Sequence, residues 1–306
     1  DLRHSAKVLL KCFQHELLAR KQPEVMKHFN TIAIVGVGLI GGSVGLAVRQ
    51  RGLAECVVGI GRRQSSLRIA RQAGAVTTTT IDLAKGVAEA ELVIVCTPVG
   101  RIVEDVRTAA AHAPPGTLIT DVGSTKAEIV AALDEGLPRN CRFLGGHPLA
   151  GGEKTGPSHA RSDLFDGRVV ILTPTKNTRA EDFDTLEGFW NALGAVVLQM
   201  SPEEHDQALA ITSHLPHAAA AALVGLVPER LFRFSGAGLL DTTRIAASDP
   251  SLWTQIFLQN RANLVQALDG FIRRLTELRT ALQQADQQTI HQMLETGKKN
   301  RDALGN

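Results

Sequence analysis

The chain has 306 residues, 44% hydrophobic and 21% charged, the composition of a globular protein long enough to need two domains. Its 33 basic and 31 acidic residues leave a net charge of +2, so no electrostatic excess argues for nucleic acid or an anionic membrane as partner. No continuous apolar run reaches the roughly 18 residues of a bilayer span.

Residues 1–30 are basic, with a weak helical period through Val8, Leu9, Leu10, Phe13 and Leu17. They lack the continuous apolar stretch of a signal peptide. They read as an N-terminal extension (a tag, upstream sequence or a loosely docked helix), with Met26 as a candidate start. From Thr31 to about Met200, short β-branched runs alternate with helical stretches. Strands are expected at 32–35, 56–60, 92–96, 117–120, 143–144, 169–172 and 195–198, with helices at 39–50, 65–72 and about 125–133. The strands show no polar alternation, so both faces should be buried in a mainly parallel sheet flanked by helices. After Ser201-Pro202, an N-cap followed by proline at the first helical position, strand signals vanish. Segments 203–227, 251–283 and 286–303 read as helices, with a kink expected at Pro216. The reading is α/β: a doubly wound, mainly parallel sheet domain over 31–200, then an all-helical domain over 201–306.

Cys12, Cys56, Cys96 and Cys141 show neither CxxC pairing nor metal-ligand spacing. Reduced thiols and a cytoplasmic address are expected.

Gly36-Val37-Gly38-Leu39-Ile40-Gly41 follows the first strand and opens the first helix. Gly36 permits the tight turn, Gly38 lets backbone approach a pyrophosphate, and Gly41 allows close helix–strand packing. The helix N-terminus then offers N–H groups to the phosphates. This is a Rossmann-type dinucleotide site. At the end of the second strand, where an NAD site usually carries Asp or Glu, the chain has Gly61-Arg62-Arg63-Gln64-Ser65-Ser66. No acid repels a 2′-phosphate there, and two guanidiniums can pair with one. NADP is therefore expected over NAD.

Three further segments suggest chemistry. Ser124, in Asp121-Val122-Gly123-Ser124-Thr125-Lys126, and His147, in the glycine-rich segment 145–153 read as a loop, both follow strands. Ligands of open α/β sheets bind at that end. An imidazole there suits general-base work on a hydroxyl, or it braces the loop. His214 and His217 are three apart and share a helix face. The spacing admits a substrate contact, an interior hydrogen bond or, least favoured for want of a third ligand, a metal pair. Arg244 is a candidate carboxylate clamp or an ordinary surface residue.

Together these segments resemble the prephenate/arogenate dehydrogenase family of tyrosine biosynthesis. The carriers are GVGLIGGS at 36–43, CTPV at 96–99, DVGSTK at 121–126, GGHPLAGGEKTG at 145–156, LTP at 172–174, SHLPH at 213–217 and DTTRIAASDPSLW at 241–253. The resemblance implies oxidative decarboxylation, with His147 taking the ring-hydroxyl proton as hydride leaves for NADP+. It implies that Ser124 bonds the hydroxyl and orients the nicotinamide, that Cys96, Thr97 and Pro98 belong to the cofactor site, and that Ser213, His214 and His217 line the substrate pocket. Arg244 would hold a substrate carboxylate. Glu153 would accept the ammonium of arogenate, or pair with Arg244 or Lys154. Prephenate is favoured over arogenate. The resemblance further implies a homodimer through the helical domain, with Ala218–Ala222 and 251–283 supplying interface. The chain ends at Asn306 with no room for a C-terminal regulatory domain, so tyrosine feedback would act at the active site. Residues 1–30 are too short for a fused chorismate mutase.

Overall fold

Eight strands form one sheet: β1 (Phe29–Val35), β2 (Ala54–Ile60), β3 (Thr78–Thr80), β4 (Leu92–Val95), β5 (Leu118–Asp121), β6 (Arg142–Pro148), β7 (Val169–Thr173) and β8 (Val196–Gln199). Their spatial order is β3-β2-β1-β4-β5-β6-β7-β8. The computed structural model describes residues 28–152 and 154–305. The expectations for the extension up to Lys27, for Cys12 and for Glu153 lie outside the described residues.

All pairings are parallel except β6 with β7. Ile32, Ile34, Val57, Leu92 and Ile94 pack into one core layer, and Ala33, Val93, Val95 and Ile119 into another. The central strands are thus buried on both faces, which is why they read as continuous apolar runs. The helices of this region are α1 (Leu39–Gln50), α2 (Gln64–Gln72), α3 (Leu83–Val87), α4 (Ile102–His112), α5 (Ala127–Leu133) and α6 (Ala180–Ala192). Sequence periodicity did not single out α3, α4, α6 or the three-residue β3.

Two expectations are corrected. The segment around His147 is not a loop, because β6 continues through Pro148 and pairs antiparallel with β7, His147 opposite Ile171. Its glycines serve close approach: a Cβ on Gly145 would lie 2.5 Å from Thr173 Oγ1, and one on Gly146 2.9 Å from the Asp121 carbonyl oxygen. The stretch expected as one helix over 251–283 is two, α10 (Pro250–Gln259) and α11 (Arg261–Gln283). Asn260, at φ −109° and ψ 31°, ends the first, and its buried side chain is held by groups described below.

Beyond β8, α7 (Pro202–Leu209) runs into a π-helical turn (Ala210–His214) and then α8 (Leu215–Gly225). Ser201 caps α7 in a reciprocal capping box with Glu204. Pro216 lies just past the π turn, so the irregularity predicted from that proline appears as a widened turn, a feature often found at functional sites. The helices α9 (Ala237–Thr243) and α12 (Gln287–Ala303) complete the described secondary structure, with short 3₁₀ turns between. By packing, residues 28–264 form one compact unit with the sheet, and residues 265–305 belong to a second. Pro202–Gly225 is long and apolar enough to cross a membrane by length and composition alone. Its His205, Asp206 and His214 are nevertheless buried within the compact unit.

Candidate active site

The glycine turn has the shape its sequence predicts. Gly36 sits at φ +96°, and a Cβ there would come within 2.7 Å of the Cys96 carbonyl oxygen. This backbone conformation favours glycine. A Cβ on Gly41 would collide with the Gly36 carbonyl oxygen, whereas at Gly38 nothing lies within 4 Å. Gly38 therefore faces open space, as a cradle for a pyrophosphate requires, and it begins α1 without a side-chain cap. A dinucleotide fits these residues. At the end of β2, Arg62, Arg63, Gln64 and Ser65 are all exposed, and Arg63 is the N-cap of α2. Cys96 follows β4 and backs Gly36. Burial pushes its thiol pKa up, with Asp121 adding to the rise, so it is an inert thiol rather than a nucleophile. The Thr97 hydroxyl donates to Asp105 at 2.7 Å, and Pro98 is exposed.

His147 is 8% exposed. Its Nδ1 lies 2.8 Å from Nε2 of His205, whose own Nδ1 lies 2.8 Å from Asp206 Oδ1. Burial holds the His147 pKa well below its ordinary value, and the nearby His205, Lys126 and His214 push the same way. The ring is therefore neutral at neutral pH, the state a general base requires.

Behind it is a buried ion pair. Lys126 Nζ meets Asp121 Oδ2 at 2.5 Å, with both side chains wholly inaccessible. Asp121 also accepts from the backbone N–H groups of Gly123 at 2.8 Å and Gly146 at 3.2 Å. This carboxylate thus joins the end of β5 to the strand that carries His147. Asp206 accepts from Lys126 N at 2.8 Å and Ala127 N at 2.9 Å. It caps α5 from about eighty residues away.

His214 closes the π turn. Its Nδ1 is 3.1 Å from Asn260 Nδ2, which also donates to the Asp206 carbonyl at 2.7 Å. Because the amide donates, Nδ1 is the acceptor and the proton of the neutral ring sits on Nε2. That Nε2 is buried without a hydrogen-bond partner. Burial brings the His214 pKa down to about 4. His205 and His217 add to the shift, while Asp206 and the Ser124 backbone oppose it. Ser124 itself is half-buried between β5 and α5, and Ser213 is half-buried in the π turn. His217 stacks on Trp253 at 3.4 Å and 22°, and burial brings its pKa down to about 4. His217, Trp253, Ile245, Ala246 and Phe257 line a cavity of about 220 Å³. Arg244 is exposed and opens the 3₁₀ turn Arg244–Ala247 at its edge.

The structure therefore brings Ser124, His147, His214 and His217 into one electrostatically connected cluster. Arg244 stands one residue from the cavity wall. His205, Asp206 and Asn260 escaped sequence reasoning, and Asp121 and Lys126 entered it only within the segment 121–126, without a role of their own. The one signal available was an aspartate ending the apolar strand Leu118–Asp121 with a lysine five residues on.

Two family models match the chain. One, described as the prephenate dehydrogenase nucleotide-binding domain, matches residues 44–199, and the other, the prephenate dehydrogenase dimerization domain, matches 201–296. The chain is 36% identical to a prephenate dehydrogenase of Bacillus subtilis over 90% of this chain and 76% of that protein. It is also 36% identical to a cyclohexadienyl dehydrogenase of Zymomonas mobilis, over 91% and 97%. A crystal structure of prephenate dehydrogenase from Aquifex aeolicus, in complex with hydroxyphenyl propionate and NAD+, superposes with a TM-score of 0.85 at 32% identity, covering 92% of this chain and all of that one. Matched by both family models and by these relatives, the chain belongs to the prephenate dehydrogenase family of nicotinamide-dependent oxidoreductases.

Proposed function

We propose that the protein oxidatively decarboxylates prephenate to 4-hydroxyphenylpyruvate, with NADP+ as preferred cofactor and His147 as proton acceptor. The observation that carries this reading is the buried, neutral imidazole of His147, on a rigid strand beside His214. When bound, the nicotinamide supplies the hydride acceptor. His147 holds the proton of the ring hydroxyl as the carbonyl forms, and loss of carbon dioxide restores an aromatic ring. Ser124 orients the hydroxyl. The Nε2–H of His214, which makes no hydrogen bond of standard geometry although the Ser124 backbone lies close enough to favour its charged form, is the proposed donor for a substrate oxygen. Ser213 and His217 line the ring pocket.

Prephenate is a dianion, and burying a carboxylate requires a cationic or hydrogen-bonding partner. Arg244 takes that role. Arg244→Ala should raise the KM for prephenate at least tenfold and change kcat less. A large kcat loss at unchanged KM contradicts it.

Preference for NADP+ rests on Arg62 and Arg63, two exposed guanidiniums at the end of β2 where no carboxylate stands. Charge-assisted bonds to a 2′-phosphate contribute roughly 1.5–3 kcal/mol each. The Arg62→Ala/Arg63→Ala variant should therefore lose about tenfold or more in NADP+ affinity and little in NAD+ affinity. Equal losses for both cofactors would refute the preference.

A second reading, arogenate or dual cyclohexadienyl use, is favoured by the similarity to the Zymomonas mobilis cyclohexadienyl dehydrogenase. Glu153 would then face the ammonium. Initial rates with prephenate and arogenate, each with NADP+ and NAD+, decide between them, and no reduction with any pair removes both. We also propose a homodimer through the helical region. Leu226, Phe232, Phe234 and Leu240 are exposed there, apolar side chains that a partner subunit would cover. A concentration-independent monomer in light scattering contradicts this. Reduced Cys56, Cys96 and Cys141 accord with a cytoplasmic address, and disulfide formation in protein isolated under thiol-trapping conditions would argue against it.

A further inference from the structure

His147 ends a continuous chain of hydrogen bonds whose protons can be assigned. Asp206 Oδ1 is a carboxylate oxygen that already accepts from the Lys126 N–H, so His205 must donate to it through Nδ1–H. A neutral His205 then presents a bare Nε2. Across 2.8 Å, His147 must donate to it through Nδ1–H. That leaves the lone pair of His147 on Nε2 as the base. Neither ring has an alternative while Asp206 is ionised and both are neutral. His205 is wholly buried and Asp206 is 1% exposed, so water does not compete for these bonds.

We propose that His205 and Asp206 are positioning residues that fix His147 in its basic tautomer and relay the proton it accepts, so that the positive charge formed in turnover resides on His205 beside Asp206. This rests on His147 being the base in the proposed reaction. The step balances. The substrate O–H proton moves to His147 Nε2, and the O–H electron pair becomes the second bond of the new carbonyl as hydride leaves carbon for the nicotinamide. The His147 Nδ1 proton passes to His205 Nε2. His147 is again neutral, and His205 is an imidazolium in contact with the Asp206 carboxylate.

The surroundings favour that final site. His147 faces Lys126 and His214, both of which disfavour a positive charge on it. Burial and Lys126 disfavour a charge on His205 as well, but its contact with Asp206 and the nearby Asp121 oppose them, and no carboxylate does so at His147. The two rings titrate as one unit. A proton entering from acid solution settles on His205 Nε2 and turns the hydrogen bond round. His147 Nδ1 then accepts, its Nε2 carries the hydrogen, and the base is lost. The acid limb of the rate profile therefore reports the pair.

Two variants test the relay, with His147→Asn as reference. His205→Leu abolishes both tautomer control and relay, and should lower kcat roughly 10²-fold or more with near-unchanged KM for cofactor and substrate. His205→Gln keeps an acceptor for the His147 N–H but cannot take a proton. It should lose about tenfold in kcat, and its acid limb should move to lower pH, because protonation must then occur on His147 itself. If the leucine variant fails to fold, the glutamine variant carries the test alone. Wild-type kcat with an unmoved acid limb in His205→Gln overturns the relay. If His147→Asn also turns over normally, the base assignment fails; if His147→Asn is inactive while His205→Gln is normal, only the relay fails.

Discussion

Replacing His147 with asparagine is expected to lower kcat by about 10²–10⁴-fold, the range contributed by a positioned general base, while cofactor affinity stays near normal. The residue is mounted on β6, antiparallel to β7, and the glycine turn proposed to hold the dinucleotide follows a different strand, β1. Titration binding of NADP+ to the variant separates the two effects, and retained turnover removes His147 as the base. The acid limb of the wild-type rate profile should lie below pH 6.5. Both His147 and His205 have pKa values lowered from 6.5, in each case chiefly by burial, and the neutral form is the active one. Stability follows the same sign. His214 and His217 fall from 6.5 to about 4, so the unfolded chain binds protons that the folded chain refuses. Stability is thus full above about pH 6.5 and declines as the pH falls towards 4. Following thermal unfolding across this range keeps acid inactivation of the base distinct from loss of fold.

Replacing Lys126 with methionine should destabilise the protein by about 3–5 kcal/mol, because it strands one partner of a buried ion pair. Asp121 would retain its two backbone donors, Gly123 N and Gly146 N, but no counter-charge within contact. Denaturant titration measures the loss, and a change below about 1 kcal/mol contradicts the assignment. Asp121→Asn/Lys126→Met should recover part of it, since removing both charges is less harmful than removing one. The single variant also makes a prediction about chemistry. Lys126 holds the His147 pKa down, so removing it should move the acid limb of the rate profile upward.

The parts of this molecule visible in sequence are those whose physics is local. The sheet announced itself because strands buried on both faces need unbroken apolar runs, and Gly36 because a left-handed turn against the Cys96 carbonyl tolerates little else. His147 was found as a residue type but misassigned to a loop. Its neighbours Gly145 and Gly146 are glycine for lack of room against Thr173 and Asp121, a tertiary cause that mimics a turn signal. The break at Asn260 was invisible for a similar reason. What holds that side chain is the Asp206 carbonyl and the His214 ring, 54 and 46 residues away. His205 and Asp206 show only a common amphipathic helix start. Their meaning depends on which strand end they face, and no periodicity encodes that.

The cap that Asp206 places on α5 has a mechanical consequence. Many two-domain dehydrogenases are imagined to open and shut about the segment joining their halves. Here the link at Met200-Ser201 is followed within one helical turn or so by a carboxylate that holds the first amides of a helix in the nucleotide half. Two charge-assisted bonds, roughly 1.5–3 kcal/mol each, would have to break before the joint could swing. The joint is pinned on the side nearest His147. His147 and its hydrogen-bond partners are therefore tied to both sides of the joint, by strand β6 on one side and by His205 and Asp206 on the other.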